Sequence, residues 1–335
     1  MRLLLTALLA FATGAALTAT VAHQSPPSAV LVPHPPATAA TAVKTAADAE
    51  PVDTPPDRWP VDAPSPEQVL YAQPRLLRRA LDQLTPPVAG VPNLYLVTFA
   101  GDGSEDVFRN EAEYAARLFE QRYGRRAHSV VLANNPATLD TLPLASWSNL
   151  ENLLTALSRV MDPRRDILML YLTSHGDPEH NLLVDMDPLP LDQIGARDLA
   201  GILEEHPFKW KVVVVNACYS GGFVSPLQGD GTLVMTAARS DRSSFGCGSD
   251  SDATYFGRAW LVDALNRTPD PVQAFRDASA EVARWESRDH LTPSEPQIAV
   301  GAGIEQQLSK WRAGIRAGSP LPFRPGERTG APATQ

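Results

Sequence analysis

An imidazole and a thiol occupy matching places in this chain. The apolar run that ends Tyr171-Leu-Thr-Ser-His175-Gly176 delivers the first, and the run that ends Asn216-Ala-Cys218-Tyr-Ser-Gly221-Gly222 delivers the second. Each run reads as a buried β-strand, and each ends in a reactive side chain close to glycine. Two such strand ends set His175 and Cys218 side by side at one rim of a sheet. That pairing suits a cysteine nucleophile. The thiolate is the attacking form, so an imidazole must hold the sulfur deprotonated, and backbone N–H groups must receive the oxyanion that develops on the attacked carbonyl. Gly176 lets the backbone after His175 approach that carbonyl. Its N–H and that of Cys218 form a candidate oxyanion hole. Ser220-Gly221-Gly222 lets the chain turn sharply and leaves the thiol exposed.

The same residues admit other readings. His175 is alternatively a hydrogen-bonded histidine at a loop start. Cys218 is alternatively an inert buried thiol, or one half of a disulfide with Cys247, the second of the two cysteines. His175, Asp177, His180, Asp185 and Asp187 lie within thirteen residues and are types that ligate metals. A metal at His175 leaves the Cys218 string unexplained, so neither a metal nor any other cofactor is expected. Ser220 lacks the Gly-x-Ser-x-Gly setting of a serine nucleophile.

The elements that must hold this pair alternate regularly after Pro92. Strands are predicted at 94–101, 129–133, 166–173, 210–215 and 232–237, with a short strand pair around 182–184 and a last strand at 297–300. Helical spacing of apolar residues predicts helices over 107–123, 147–161, 196–206, 253–266, 270–287 and 305–312. Strands apolar on both faces, separated by helices, imply an α/β fold with a mostly parallel central sheet flanked by helices on both faces. In such sheets the site lies beyond the carboxyl ends of the strands, where His175 and Cys218 both fall.

Around this body the composition shifts. Arg2, an apolar stretch from Leu3 to about Ala16 and the small residues to Ala22 have the order of an export signal, so residues 1–22 are read as a signal peptide. The alternative is an uncleaved anchor. Residues 23–64 are rich in Pro, Ala, Thr and Val and read as a disordered tether or pro-segment. Residues 65–92 read as a helical lead-in of two short helices divided at Pro74, residues 93–315 as the main domain and 316–335 as a disordered tail. A net charge of −9 argues against a nucleic-acid partner and against an anionic membrane surface. Export to the periplasm or outside the cell is the expected localisation.

The ordered strings resemble the legumain-like cysteine peptidases, family C13, of the caspase-like fold class. The resemblance runs over about residues 93–265. It rests on Ala100-Gly101 followed by Phe108-Arg109-Asn110-Glu111, on the two strings above, and on Thr236-Ala-Ala-Arg-Ser-Asp-Arg-Ser243-Ser244-Phe-Gly-Cys247. It implies a caspase-like fold, His175 and Cys218 as a catalytic dyad, and Arg109 and Ser243 as walls of the pocket for the residue before the cut. Four positions depart from the family's pattern. Asn216 and Ser174 stand where acids are common, Arg258 where an acidic pocket residue is common, and Val107 where an asparagine orients the histidine.

The expectation is therefore an exported cysteine endopeptidase acting on peptide or protein substrates through an acyl-enzyme, cleaving after Asp or Asn. Arg109 together with Arg258, and Asn216 in place of an acid, favour an acidic residue before the cut. A transpeptidase using the same dyad and a non-catalytic binding module on the same fold are the alternatives.

Overall fold

The structure is a computed structural model and describes residues 59–326. The signal-peptide reading and most of the tether reading fall outside the described residues.

The elements in chain order are α1 (Pro66–Asp82), β1 (Leu94–Ala100), α2 (Asp106–Tyr123), β2 (Ala127–Ala133), α3 (Trp147–Val160), β3 (Ile167–Thr173), β4 (Asn181–Leu182), β5 (Ile194–Gly195), α4 (Ala196–Glu204) and β6 (Trp210–Asn216). After these come α5 (Val224–Leu227), β7 (Thr232–Thr236), α6 (Tyr255–Gly257), a π-helical stretch Arg258–Ala264, α7 (Leu265–Arg267), α8 (Pro271–Arg288), β8 (Gln297–Val300) and α9 (Ile304–Arg312). The sheet order is β2-β1-β3-β6-β7-β8. The first five strands are parallel, and β8 closes one edge antiparallel to β7. This is the α/β sheet expected from the sequence.

Alternation along the strands divides the core in two. Leu96, Met169, Tyr171, Val214 and Met235 face α2, α8, α9 and the 255–267 helical segment. Val97, Leu170, Leu172, Val213 and Val215 face α1, α3 and α4. Strands buried on both sides explain why their sequences are apolar runs rather than alternating ones. The chain leaves β1 toward β2 on one side and returns to β3 on the other. A crevice therefore opens at the β1/β3 carboxyl ends, the usual place for a site in such a sheet.

Three boundaries differ from the expectation. Pro74 lies inside one continuous helix α1, begun by a Ser65/Gln68 capping box. Its missing N–H removes a single helical bond without ending the helix, while the buried side Val69, Leu76 and Leu77 anchors both halves. The end of the tether is part of the body: the Trp59 indole donates to Pro64 O at 2.9 Å, and Trp59 and Ala63 pack on Val69, Leu144 and Met186. Residues 316–326 of the expected tail lie along α2. Arg122 donates to Gly318 O, Tyr114 to Leu321 O, and Gly326 N to Asn110 Oδ1, while Phe323 meets Tyr114 edge-on. A Pro- and Gly-rich segment without periodicity carries no strand or helix signal, yet its carbonyls satisfy side chains of α2.

Candidate functional site

Register sets the site. Ala100 pairs with Thr173 across β1 and β3, and Thr173 pairs with Asn216 across β3 and β6. His175 and Cys218 each lie two residues beyond these aligned positions. Neighbouring parallel strands run about 4.8 Å apart, so the two loops leave the sheet side by side. Asp102 lies two residues beyond Ala100 and flanks His175 from the opposite side to Cys218.

Both cysteines are free, and both are partly buried. The Cys218 sulfur accepts the Ser244 N–H at 3.3 Å and lies 3.6 Å from the Ser244 hydroxyl. A hydrogen bond from the Cys247 thiol does most to hold Cys218 below the usual thiol range. The Ser244 contacts and the charge of His175 act in the same direction, and burial opposes them. Cys247 is pushed the other way by the thiolate beside it and by burial. The arrangement favours one thiolate, at Cys218. It follows that Cys247→Ser, which keeps a donor, retains activity. Cys247→Ala should move the pH dependence of Cys218 alkylation upward, because the main donor to the sulfur is lost. Mass spectrometry after iodoacetamide at graded pH measures this, and an unmoved profile contradicts the thiol contact.

His175 is half-exposed. Its Nε2 lies 3.6 Å from Asp102 Oδ2, and the ring stands edge-on to Phe108 with centroids 5.1 Å apart. Gly176 approaches the Cys218 loop closely: a Cβ there would lie 2.3 Å from the Cys218 carbonyl oxygen. Among the described residues neither the Gly176 N–H nor the Cys218 N–H donates to a protein acceptor. Tyr219 follows Cys218 with φ 56, a left-handed conformation that a tyrosine adopts only under constraint. Its N–H is tied to Arg242 O at 2.7 Å, and its carbonyl lies 3.1 Å from His180 Nδ1. Ser220 is buried and accepts the Ala238 N–H; it faces away from chemistry. Among the described residues no three His, Cys, Asp or Glu side chains come together as a metal site.

Residues 148–307 match the model of the Peptidase C13 family. The match spans just under half of the chain and includes β3, β6 and β7, with both His175 and Cys218. A solved structure similar to this fold is the crystal structure of caspase-1 from Spodoptera frugiperda, at 11% identity and a TM-score of 0.45, over 63% of this chain and 88% of that one. No curated protein matches the sequence. The family match supports a cysteine peptidase.

The matched residues also include Asn216, Ser243 and Arg258, whereas Arg109 and Asp102 precede them. Arg109 is buried on α2, bonded to Asn110 Oδ1 at 3.0 Å and 3.2 Å from Asp106. Ser243 is exposed, while its neighbour Ser244 is the residue that touches the sulfur. Arg258 extends over the Phe323 ring and lies 3.8 Å from Asp263. Both partners engage Arg258 apart from Arg109, with which it shares none of these contacts. Asn216 is buried beneath the site. Its amide donates at 2.8 Å to Glu111 Oε2, which also accepts from Tyr171 and Thr173. Thr254 donates twice to the other carboxylate oxygen. Burial pushes the Glu111 carboxyl up, against these hydrogen bonds. The acid absent at 216 is thus replaced by one from α2. Gly257 makes room for it, since a Cβ there would lie 2.0 Å from Glu111 Oε1.

Sequence reasoning missed Asp102, Ser244 and Glu111. Asp102 carried a signal, since it follows β1 at the same interval as His175 follows β3. Glu111 carried none, because nothing in an amphipathic helix marks which acid turns inward.

Proposed function

We propose that this chain is an exported cysteine endopeptidase that cleaves after Asp or Asn. The observation that carries the reading is the common two-residue offset of His175 and Cys218 beyond paired strand ends, with the sulfur held below the usual thiol range. The Cys218 thiolate adds to the scissile carbonyl, and the C–N bond breaks as the His175 imidazolium gives its proton to the leaving amine. Water, deprotonated by the neutral imidazole, then attacks the thioester and releases the acid and the thiol. The Gly176 and Cys218 N–H groups receive the oxyanion in both steps. The test is hydrolysis of internally quenched peptides. Activity should be abolished by iodoacetamide and indifferent to chelator; inhibition by chelator alone overturns the reading.

Arg109 is the proposed reader of the residue before the cut. A charge-assisted hydrogen bond to a carboxylate contributes about 1.5–3 kcal/mol, roughly tenfold or more in rate. Arg109→Ala should therefore lower kcat/KM for an Asp peptide about tenfold more than for the matched Asn peptide. Arg258→Asp should leave their ratio within about threefold, since Arg258 is engaged by Phe323 and Asp263. A ratio that follows Arg258 rather than Arg109 contradicts this assignment.

A further inference from the structure

We propose that Asp102 is the positioning residue of the dyad, holding the His175 ring so that its other nitrogen faces Cys218. This rests on the peptidase reading above. Asp102 is 1% exposed, and its backbone is clamped. Gly103 N donates to Asp185 O and Asp185 N to Gly101 O, both at 2.9 Å. One carboxylate oxygen is used locally: Oδ1 accepts the Ser104 N–H at 2.8 Å. The other, Oδ2, is the one that meets His175 Nε2 at 3.6 Å. A carboxylate with one oxygen fixed by a turn and the other directed at an imidazole is an orienting group.

The rest of the ring's surroundings leave this role to Asp102. Phe108 from α2 supplies only an aromatic edge. Val107, where the resemblance expects an orienting asparagine, is buried in the apolar cluster with Phe108 and Ala112. Ser174, the residue before His175, spends its hydroxyl on Leu183 O at 2.6 Å. Cys218 acts on the β6 side of the ring, Cys247 and Glu105 act on the thiols rather than on the ring, and the Asp185 backbone brackets Asp102. With Nε2 turned to Asp102, Nδ1 is left for the thiol and the leaving amine.

Three variants separate this role from the turn that Asp102 also makes. Asp102→Ser keeps an oxygen for the Ser104 N–H but is too short to reach His175. Asp102→Asn keeps both contacts without the charge, and Asp102→Ala keeps neither. The first readout is alkylation of Cys218 by iodoacetamide at fixed near-neutral pH, which needs no peptide substrate. Asp102→Ser and Asp102→Ala should slow it by about 3- to 10-fold, with Asp102→Asn between them and the wild type. The second readout is peptide turnover. Asp102→Ser should lose roughly 10- to 100-fold in kcat with KM within about twofold, and Asp102→Asn should recover part of that loss. Melting temperatures identify any variant that merely fails to fold. If folded Asp102→Ser alkylates and turns over like the wild type, the carboxylate serves only the turn and the proposal is overturned. If Asp102→Asn rescues nothing while Asp102→Ser and Asp102→Ala lose stability and activity together, it is likewise overturned. Peptidase activity that survives Cys218→Ala sinks the peptidase reading instead, and leaves the alkylation result for Asp102 standing.

Discussion

Cys218→Ala should lower kcat by roughly 10⁴ or more while leaving the fold intact. In the proposed mechanism the sulfur is the attacking atom, and neither neighbouring hydroxyl is placed to replace it: Ser244 contacts the sulfur itself, and Ser220 is buried and bonded to Ala238. The cost to folding is small because Cys218 is partly exposed and alanine fills the same short stem. His175→Ala should lose a similar amount, and the double variant little more than either alone, since the two act as one unit. The measurement is burst and steady-state hydrolysis of one quenched peptide by the three variants, with circular dichroism to check the fold. Turnover by Cys218→Ala within a hundredfold of wild type removes the mechanism.

The strand pattern that delivers these residues was legible because a parallel sheet demands long apolar runs, and such runs are conspicuous. Leu94–Ala100, Ile167–Thr173 and Trp210–Asn216 each announce themselves. The placement of His175 and Cys218 was legible for the same reason, as both directly follow the runs. What surrounds the dyad was harder to read. Arg258 follows Thr254-Tyr-Phe-Gly257 and invites a place in the pocket. Yet it begins a π-helical stretch in which its side chain swings to Asp263 and Phe323. Phe323 belongs to a segment with no periodicity, so the competing partner was invisible in the sequence. Glu111 was invisible in another way. Its burial depends on five donors contributed by β3, β6 and residue 254, brought together only by the folded chain.

The exchange between Asn216 and Glu111 has a consequence for the floor of the site. A carboxylate at position 216 would project from the strand that leads to the nucleophile. Here that strand contributes a neutral amide, and the carboxyl group beneath it comes from α2, where burial disfavours its charged form. Arg109 and Glu111 lie on one helix but two residues apart, so they face different ways: Glu111 is held by Tyr171, Thr173, Asn216 and Thr254, and Arg109 by Asn110 and Asp106. Arg258 is engaged by Asp263 and Phe323, so the proposed reading of Asp against Asn is assigned to Arg109 alone.

Gly176→Ala carries the second largest expected effect. The methyl group would stand 2.3 Å from the Cys218 carbonyl oxygen and 3.2 Å from the Ala217 Cβ. The first contact is with backbone, so it cannot be relieved by rotating a side chain. The Gly176 segment must move off the nucleophile loop and carries its N–H with it. Losing one oxyanion donor typically costs about 10²–10³ in kcat. Alkylation by iodoacetamide passes through no oxyanion, so it discriminates between a lost donor and a disordered thiol. In Gly176→Ala, peptide turnover should fall by about 10²–10³ while alkylation of Cys218 stays within about threefold of wild type. Equal losses in both would mean that the methyl displaces the sulfur itself. Undiminished turnover would mean that the oxyanion is held elsewhere, and the Gly176 N–H would lose its role.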